Sequence, residues 1–176
     1  MNDKTREYPL FSACGLNCGL CPRYYTEGSS KCPGCFGNGF YEVHPKCGVL
    51  SCSQRKELEY CHLCDEFPCK KYDSADTKDS FITHRNQLRD LEKAKRIGIA
   101  AYKKELNEKV TILTDLVSNY NDGRRKNFYC IAVSLLELSD IKGIMNVINE
   151  NTDVKQVVSL FEEKAKERKI ELILRK

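Results

Sequence analysis

The sequence predicts a mainly α fold with small β content, in which a loop-rich thiolate metal-binding module packs on a helical C-terminal half. Two observations lead to this fold class. Ten of the eleven cysteines and all five prolines lie before residue 70, whereas apolar residues recur at helical spacing after residue 79. We therefore predict a cysteine-rich metal-binding module in residues 1–76 and a mostly helical region in residues 77–176.

The cysteine-rich module contains three CxxC pairs, Cys18/Cys21, Cys32/Cys35 and Cys61/Cys64. A CxxC turn brings two thiolates to one metal ion, and two such pairs complete a tetrahedron. The order of the first two pairs predicts one four-thiolate site. Because the module has little that could form an aliphatic core, we expect metal to replace one.

The later thiols allow more than one pairing. The stretch CHLCDEFPC has a spacing shared by some 4Fe–4S-binding motifs, and its fourth ligand would be Cys47 or Cys52. Two four-thiolate sites use eight of the ten clustered thiols, which leaves Cys14 and either Cys47 or Cys52, and sequence alone does not fix the partition. The candidate metal ligands are Cys14, Cys18, Cys21, Cys32, Cys35, Cys47, Cys52, Cys61, Cys64 and Cys69.

The first three thiols also raise the question of a radical enzyme. Cys14, Cys18 and Cys21 have the CxxxCxxC spacing with which radical S-adenosylmethionine enzymes hold a 4Fe–4S cluster. Such an enzyme needs a barrel of repeated strand–helix units, but the remainder of this chain is short and helical in pattern. We therefore interpret these thiols as the first arm of a multi-thiol metal module.

The helical half is predicted from its apolar periodicity. Phe81, Leu88 and Leu91 indicate a helix over about residues 79–96 that Gly98 ends or bends. A regular stripe from Ile99 to Tyr120 indicates a second helix, which Asn121-Asp122-Gly123 stops. The pattern further predicts a buried helix over 128–138 and two helices capped by Ser139 and Asp153. Alternation of Ile170, Leu172 and Leu174 predicts a short strand in the tail.

The cellular location is expected to be the cytoplasm. The N-terminus is charged and has no apolar signal-peptide region, and no window approaches the roughly 18 apolar residues of a membrane span. In a reducing compartment, thiols at CxxC spacing more often bind metal than form disulfides.

These observations favour a zinc-binding protein whose metal, about two ions, is structural and supports a binding or interaction module. The alternative is an iron–sulfur protein with a 4Fe–4S cluster for electron transfer or redox sensing. No catalytic constellation is identifiable, so an enzyme is not favoured. His44 and His62 are expected not to ligate metal, and Cys130 is expected to be a buried core residue.

The charge balance says little about partners. The formal net charge is +4, but each zinc ion with four thiolates adds a net −2, so two sites would bring the charge to about 0. Arg124, Arg125 and Lys126 form a basic loop between two predicted helices, without an aromatic stacking platform nearby. Nucleic acid is therefore not an expected partner; a protein partner is compatible with the sequence but is not identified by it.

The motifs CGLNCGLCPRY, CPGC, CGVLSC and YCHLCDEFPCKKY occur in this order. Together they resemble a cysteine-rich prokaryotic family, the domain of unknown function 3795. The resemblance covers about Cys14 to Tyr72 and implies metal binding through the ten cysteines, but it implies no reaction. The chain departs from the family pattern at Asn17, where Asp is usual, and at Val49-Leu50, and neither change removes a thiol.

Overall fold

The computed structural model describes residues 5–73 and 77–176, and these residues form a mostly helical protein with no β-strand. This confirms the mainly α fold class, whereas the small β content is not confirmed. The α-helices are α1 (Phe40–Val43), α2 (Gly48–Arg55), α3 (Gln87–Ile97), α4 (Ile99–Asn119), α5 (Lys126–Leu135), α6 (Leu138–Met145) and α7 (Val154–Glu167). Short 3₁₀ turns lie at Cys18–Leu20, Gly28–Ser30, Cys61–Leu63 and Lys70–Tyr72.

The helix predicted over residues 79–96 is shorter in the structure. It begins only at Gln87, because the buried Asp79 carboxylate accepts a hydrogen bond from the His84 amide and holds the preceding residues in a turn. Gly98, at φ +86°, separates α3 from α4. This positive φ is readily adopted only by glycine, so the predicted break is confirmed.

The predicted boundaries of the later helices are confirmed in part. Helix α4 ends before Asn121-Asp122-Gly123, as predicted. Asp153 caps α7 in a reciprocal capping box with Gln156, with both hydrogen bonds at 2.8 Å. In contrast, the N-cap position of α6 is Glu137 rather than Ser139, without a side-chain capping hydrogen bond, and the helix ends at Met145.

The C-terminal tail does not form the predicted strand. Its backbone carbonyls at Glu171 and Ile173 accept hydrogen bonds from the Arg85 guanidinium, and Arg175 forms an ion pair with Asp79 at 2.9 Å. The tail is thus held by side chains of the segment before α3, and no strand in the described ranges lies beside it.

One hydrophobic core joins the loop-rich segment to the helices. Phe11 and Tyr60 from the loops are buried in the same cluster as Leu91 of α3 and Tyr102 of α4. The Phe11 ring lies 4.6 Å from the Tyr102 ring, centroid to centroid. The loop-rich segment therefore packs directly on the helical half. The boundary predicted between residues 76 and 77 falls at residues 74–76, which lie outside the described residues.

Among the helices of the described ranges, none combines the length and the apolar character needed to cross a bilayer.

Candidate metal centre

All eleven cysteines lie in the described ranges, and all carry free thiols. Nine of them fall into two neighbouring groups, and Cys14 lies near both. We call Cys18, Cys21, Cys32, Cys35 and Cys47 the first thiol set, and Cys52, Cys61, Cys64 and Cys69 the second thiol set.

The first thiol set surrounds a small apolar cluster. Cys32 and Cys35 are buried in this cluster with Phe40 and Leu50, and Cys18 and Cys47 pack against it. Cys47 also caps α2, because its Sγ accepts a hydrogen bond from the Leu50 amide at 3.5 Å. The sequence had left Cys47 and Cys52 as alternatives, and the fold places Cys47 with the first set.

Burial makes three thiols of the first set, those of Cys18, Cys21 and Cys35, weaker acids. It raises the pKa of Cys18 well above its ordinary value, and the neighbouring thiols of Cys35, Cys14, Cys21 and Cys32 add to the effect. Burial likewise raises the pKa of Cys21 to about 11 and that of Cys35 to about 12. These thiols hold their protons at neutral pH unless a cation displaces them.

The second thiol set lines one partly open cavity. All four thiols border this cavity of about 60 Å³, which lies between α2 and the turns at Cys61–Leu63 and Lys70–Tyr72. Apolar side chains also line it, among them Val49, Phe67 and Tyr72. Cys52 comes from α2 and the other three thiols from the CHLCDEFPC stretch, so the fold unites residues from two motifs.

A lysine side chain reaches the second thiol set. Lys56 Nζ donates a hydrogen bond to Cys64 Sγ at 3.3 Å and forms an ion pair with Glu66 at 3.1 Å. Lys56 follows Cys52 by four residues at the end of α2, a spacing that places two side chains on one helix face. This spacing is the signal in the sequence that could have identified Lys56.

Cys14 lies near both thiol sets. Its thiol is buried beside Ser12 Oγ, with 3.1 Å between the two atoms. Burial raises the pKa of Cys14, with Cys47 of the first set adding to the effect. Burial also raises the pKa of Cys61 in the second set to about 11, and Cys14 contributes to this increase.

Cys130 is a buried core residue in α5, with 2% of its surface exposed. Burial raises its pKa, with a smaller contribution from Cys21. The predicted core position is therefore seen in the structure.

A buried polar network joins the first CxxC turn to the helices. Asn17, next to Cys18, donates a hydrogen bond to Asp90 Oδ2 of α3 at 2.7 Å and accepts one from the Tyr102 hydroxyl of α4 at 3.0 Å. Burial raises the pKa of Asp90 to about 6. No motif in the sequence indicates this network, because its members are distant along the chain.

The two histidines near the cysteines have other contacts. His44 stacks on Phe40 at 4.5 Å, and its Nδ1 lies 2.8 Å from the Pro45 carbonyl oxygen. His62 stacks on Tyr60 at 5.7 Å, and its buried Nδ1 has no hydrogen-bond partner among the described residues.

The basic loop is partly engaged in local contacts. Arg125 Nε lies 3.4 Å from Asp122 Oδ2, and Lys126 Nζ donates to the Thr26 hydroxyl at 3.5 Å. These contacts tie the loop to the chain itself.

The thiols suit a metal chemically, because thiolates are ligands of both zinc and iron–sulfur clusters. Zinc binds each sulfur at 2.3 Å, which places four sulfurs about 3.8 Å apart. Within residues 5–73 and 77–176, no three or more His, Cys, Asp or Glu side chains are arranged to hold a metal ion. Binding of a single ion would therefore require the thiols to move closer together.

Comparison with protein families identifies the cysteine-rich segment. Residues 10–74 match the family described as protein of unknown function (DUF3795). Over these residues the chain is similar to that family. The DUF3795 match includes all ten clustered cysteines and stops before α3. Comparisons with curated proteins and with solved structures found no match.

Proposed function

We propose that the DUF3795 segment is a metal-binding module that holds structural zinc through the Cys18/Cys21 and Cys32/Cys35 pairs. The observation that carries this proposal is the first thiol set itself, in which Cys32 and Cys35 of one CxxC turn are buried in one small cluster and Cys18 of the other turn packs against it. A buried group of thiols provides little apolar packing, whereas four thiolates around zinc would cross-link the turns.

Zinc bound at this site would mainly stabilise the folded state of the cysteine-rich segment. Ligation requires deprotonated thiols, so the raised pKa values of Cys18, Cys21 and Cys35 mean that zinc must displace protons. Structural zinc supplies about 10–16 kcal/mol of apparent binding free energy, comparable with the stability of a whole domain. Drawing the two turns together would use part of this free energy.

The module is proposed to serve binding or interaction rather than catalysis. Four-thiolate zinc sites are usually closed and leave no position for substrate. Free thiols in this number also suit a reducing compartment, so the cytoplasm is part of the proposal.

Metal analysis of the full chain tests this function. The protein is purified without oxygen and its zinc is counted, together with that of Cys32→Ala and of Cys130→Ala as a buried-cysteine control. We expect Cys32→Ala to lose about one zinc ion and Cys130→Ala to lose none. Equal zinc content in all three proteins, or no zinc in any, would contradict the proposal.

An iron–sulfur protein is the second candidate function. The cavity lined by the second thiol set favours it, since four thiols border one space there.

A further inference from the structure

The second thiol set differs from a closed zinc site in the space between its thiols. Around zinc the sulfurs would be in mutual contact, with no space left between them. Here the four thiols border a cavity of about 60 Å³. One water molecule needs about 10–15 Å³ on this scale, so the cavity has room for about four atoms of that size.

The surroundings of the cavity suit a negatively charged inorganic group. Thiolates are the usual ligands of iron–sulfur clusters, and hydrogen bonds to the sulfurs help set the reduction potential. Lys56 donates such a bond to Cys64 Sγ at 3.3 Å, and Lys71 also borders the cavity. The apolar side chains of Val49, Leu58 and Phe67 limit access of water.

We propose that Cys52, Cys61, Cys64 and Cys69 bind an iron–sulfur cluster, while zinc occupies the first thiol set. On assembly the four thiols lose their protons to solvent and each sulfur forms one bond to iron, with a mixture of ferrous and ferric iron and sulfide supplying the inorganic core, so that no thiol changes its oxidation state. This inference rests on the proposed function, because it assumes that the segment binds metal through its thiols.

Two residues of one helix segment provide the test. Cys47 caps α2 and belongs to the first thiol set, whereas Cys52 lies five positions later and borders the cavity. The full chain, Cys52→Ala and Cys47→Ala are purified anaerobically, and iron, acid-labile sulfide and zinc are counted. We expect iron and sulfide in equal amounts in the full chain, at least a fivefold loss of both in Cys52→Ala, and little loss in Cys47→Ala.

The outcomes separate this inference from the proposed function. Zinc without iron, even after anaerobic incubation with ferrous and ferric iron and sulfide, would overturn the cluster and leave the zinc proposal standing. Equal loss of iron in Cys47→Ala and Cys52→Ala would overturn the assignment to the second set. Iron without zinc would support the cluster and contradict zinc in the first set.

Lys56 gives a test that leaves every thiol in place, for the case in which a cysteine variant does not fold. Lys56→Met removes the hydrogen bond and positive charge at Cys64, so the midpoint potential of the cluster should become more negative. Lys155→Met, at an exposed position of α7, is the matched control and should leave the potential unchanged. An equal potential in both variants would overturn the placement of the cluster beside Lys56.

Discussion

Gly15 is a residue at which the backbone of the thiol region comes close to helix α3, because it has no side chain to occupy the space between them. It follows Cys14 and adopts φ +91°, and a Cβ atom there would lie 2.4 Å from the Gln87 carbonyl oxygen of α3 and 2.6 Å from Leu91 Cγ. Two penalties therefore act together at this position, an unfavourable backbone conformation and overlap with a helix. The sequence did not single out Gly15, because the close approach comes from residues more than seventy positions away.

Gly15→Ala should lower the free energy of unfolding by about 2–4 kcal/mol, because backbone strain and overpacking add. Gly28→Ala is the matched control, since Gly28 also has a positive φ of +73° but an added Cβ would meet no atom within 4 Å. It should cost only about 1–2 kcal/mol. Urea unfolding of both variants measures the difference, and a Gly15→Ala cost no larger than that of Gly28→Ala would contradict the role of the close approach.

At the scale of elements, local signals in the sequence predicted some segments well and others poorly. Helices α4 and α7 were predictable because a regular stripe, a stop signal and a capping residue agree. The tail was predicted as a strand from alternation alone, but Arg85 and Asp79 bind its backbone and side chains instead. The same Asp79 shortens α3, so one buried carboxylate accounts for two differences from the prediction.

The Asp79 contact predicts a pH-dependent stability. Burial alone would raise the pKa of Asp79, but hydrogen bonds from Arg175 and the His84 amide lower it to about 2. Because the pKa is lower in the folded state than the unfolded value of about 3.9, the stabilisation is present above pH 4 and is lost as the pH falls from about 4 to 2.

Asp79→Asn should therefore lower the free energy of unfolding at pH 7 by about 1 kcal/mol, since solvent screens the partly exposed Arg175 partner, and the difference from the unchanged chain should shrink toward pH 2. Urea titrations across this pH range measure it. Glu162→Gln, at an exposed position of α7, serves as the control and should behave as the unchanged chain does. A difference that is the same at pH 7 and at pH 2 would refute the linkage.

At the scale of the whole molecule, the thiol region and the helices share one core. Taken alone, the apolar stripes of the helical half would suggest that this half depends less on metal than the loops do. In the structure, Phe11 and Tyr60 of the loop-rich segment fill the space beside Leu91 and Tyr102. Loss of order in the loops would expose these helix surfaces to water.

A strong chelator should therefore destabilise the whole chain. We expect the melting temperature to fall. The near-ultraviolet circular dichroism of the tyrosines and the far-ultraviolet signal of the helices should disappear in a single transition, because the loops and the helices contribute to the same core. Return of zinc and iron with sulfide should restore the original transition. Two separate transitions, with the helical signal surviving the first, would show that the helices fold without the loops.

In the candidate site, too, the sequence predicted the features that are local along the chain but not the grouping of thiols from distant segments. Each CxxC pair is local and was recognised from spacing, and the burial of Cys130 followed from its apolar surroundings. The separation of Cys47 from Cys52 depends on how α2 lies between the two thiol sets, which only the folded chain determines. The identity of the metal depends on the space between thiols, and spacing along the chain does not report that space.

The hydrogen bond between Asn17 and Asp90 limits how this sequence can change. Asn17 can donate to the buried Asp90 carboxylate, whereas an ionised Asp at position 17 would place a second negative charge beside the first. With Asp at position 17, the pair would need either a neutral or basic residue at position 90 or one proton shared between the two carboxyl groups. Positions 17 and 90 are therefore coupled through this buried hydrogen bond. A substitution that adds a charge at one of them is tolerated only with a compensating change at the other.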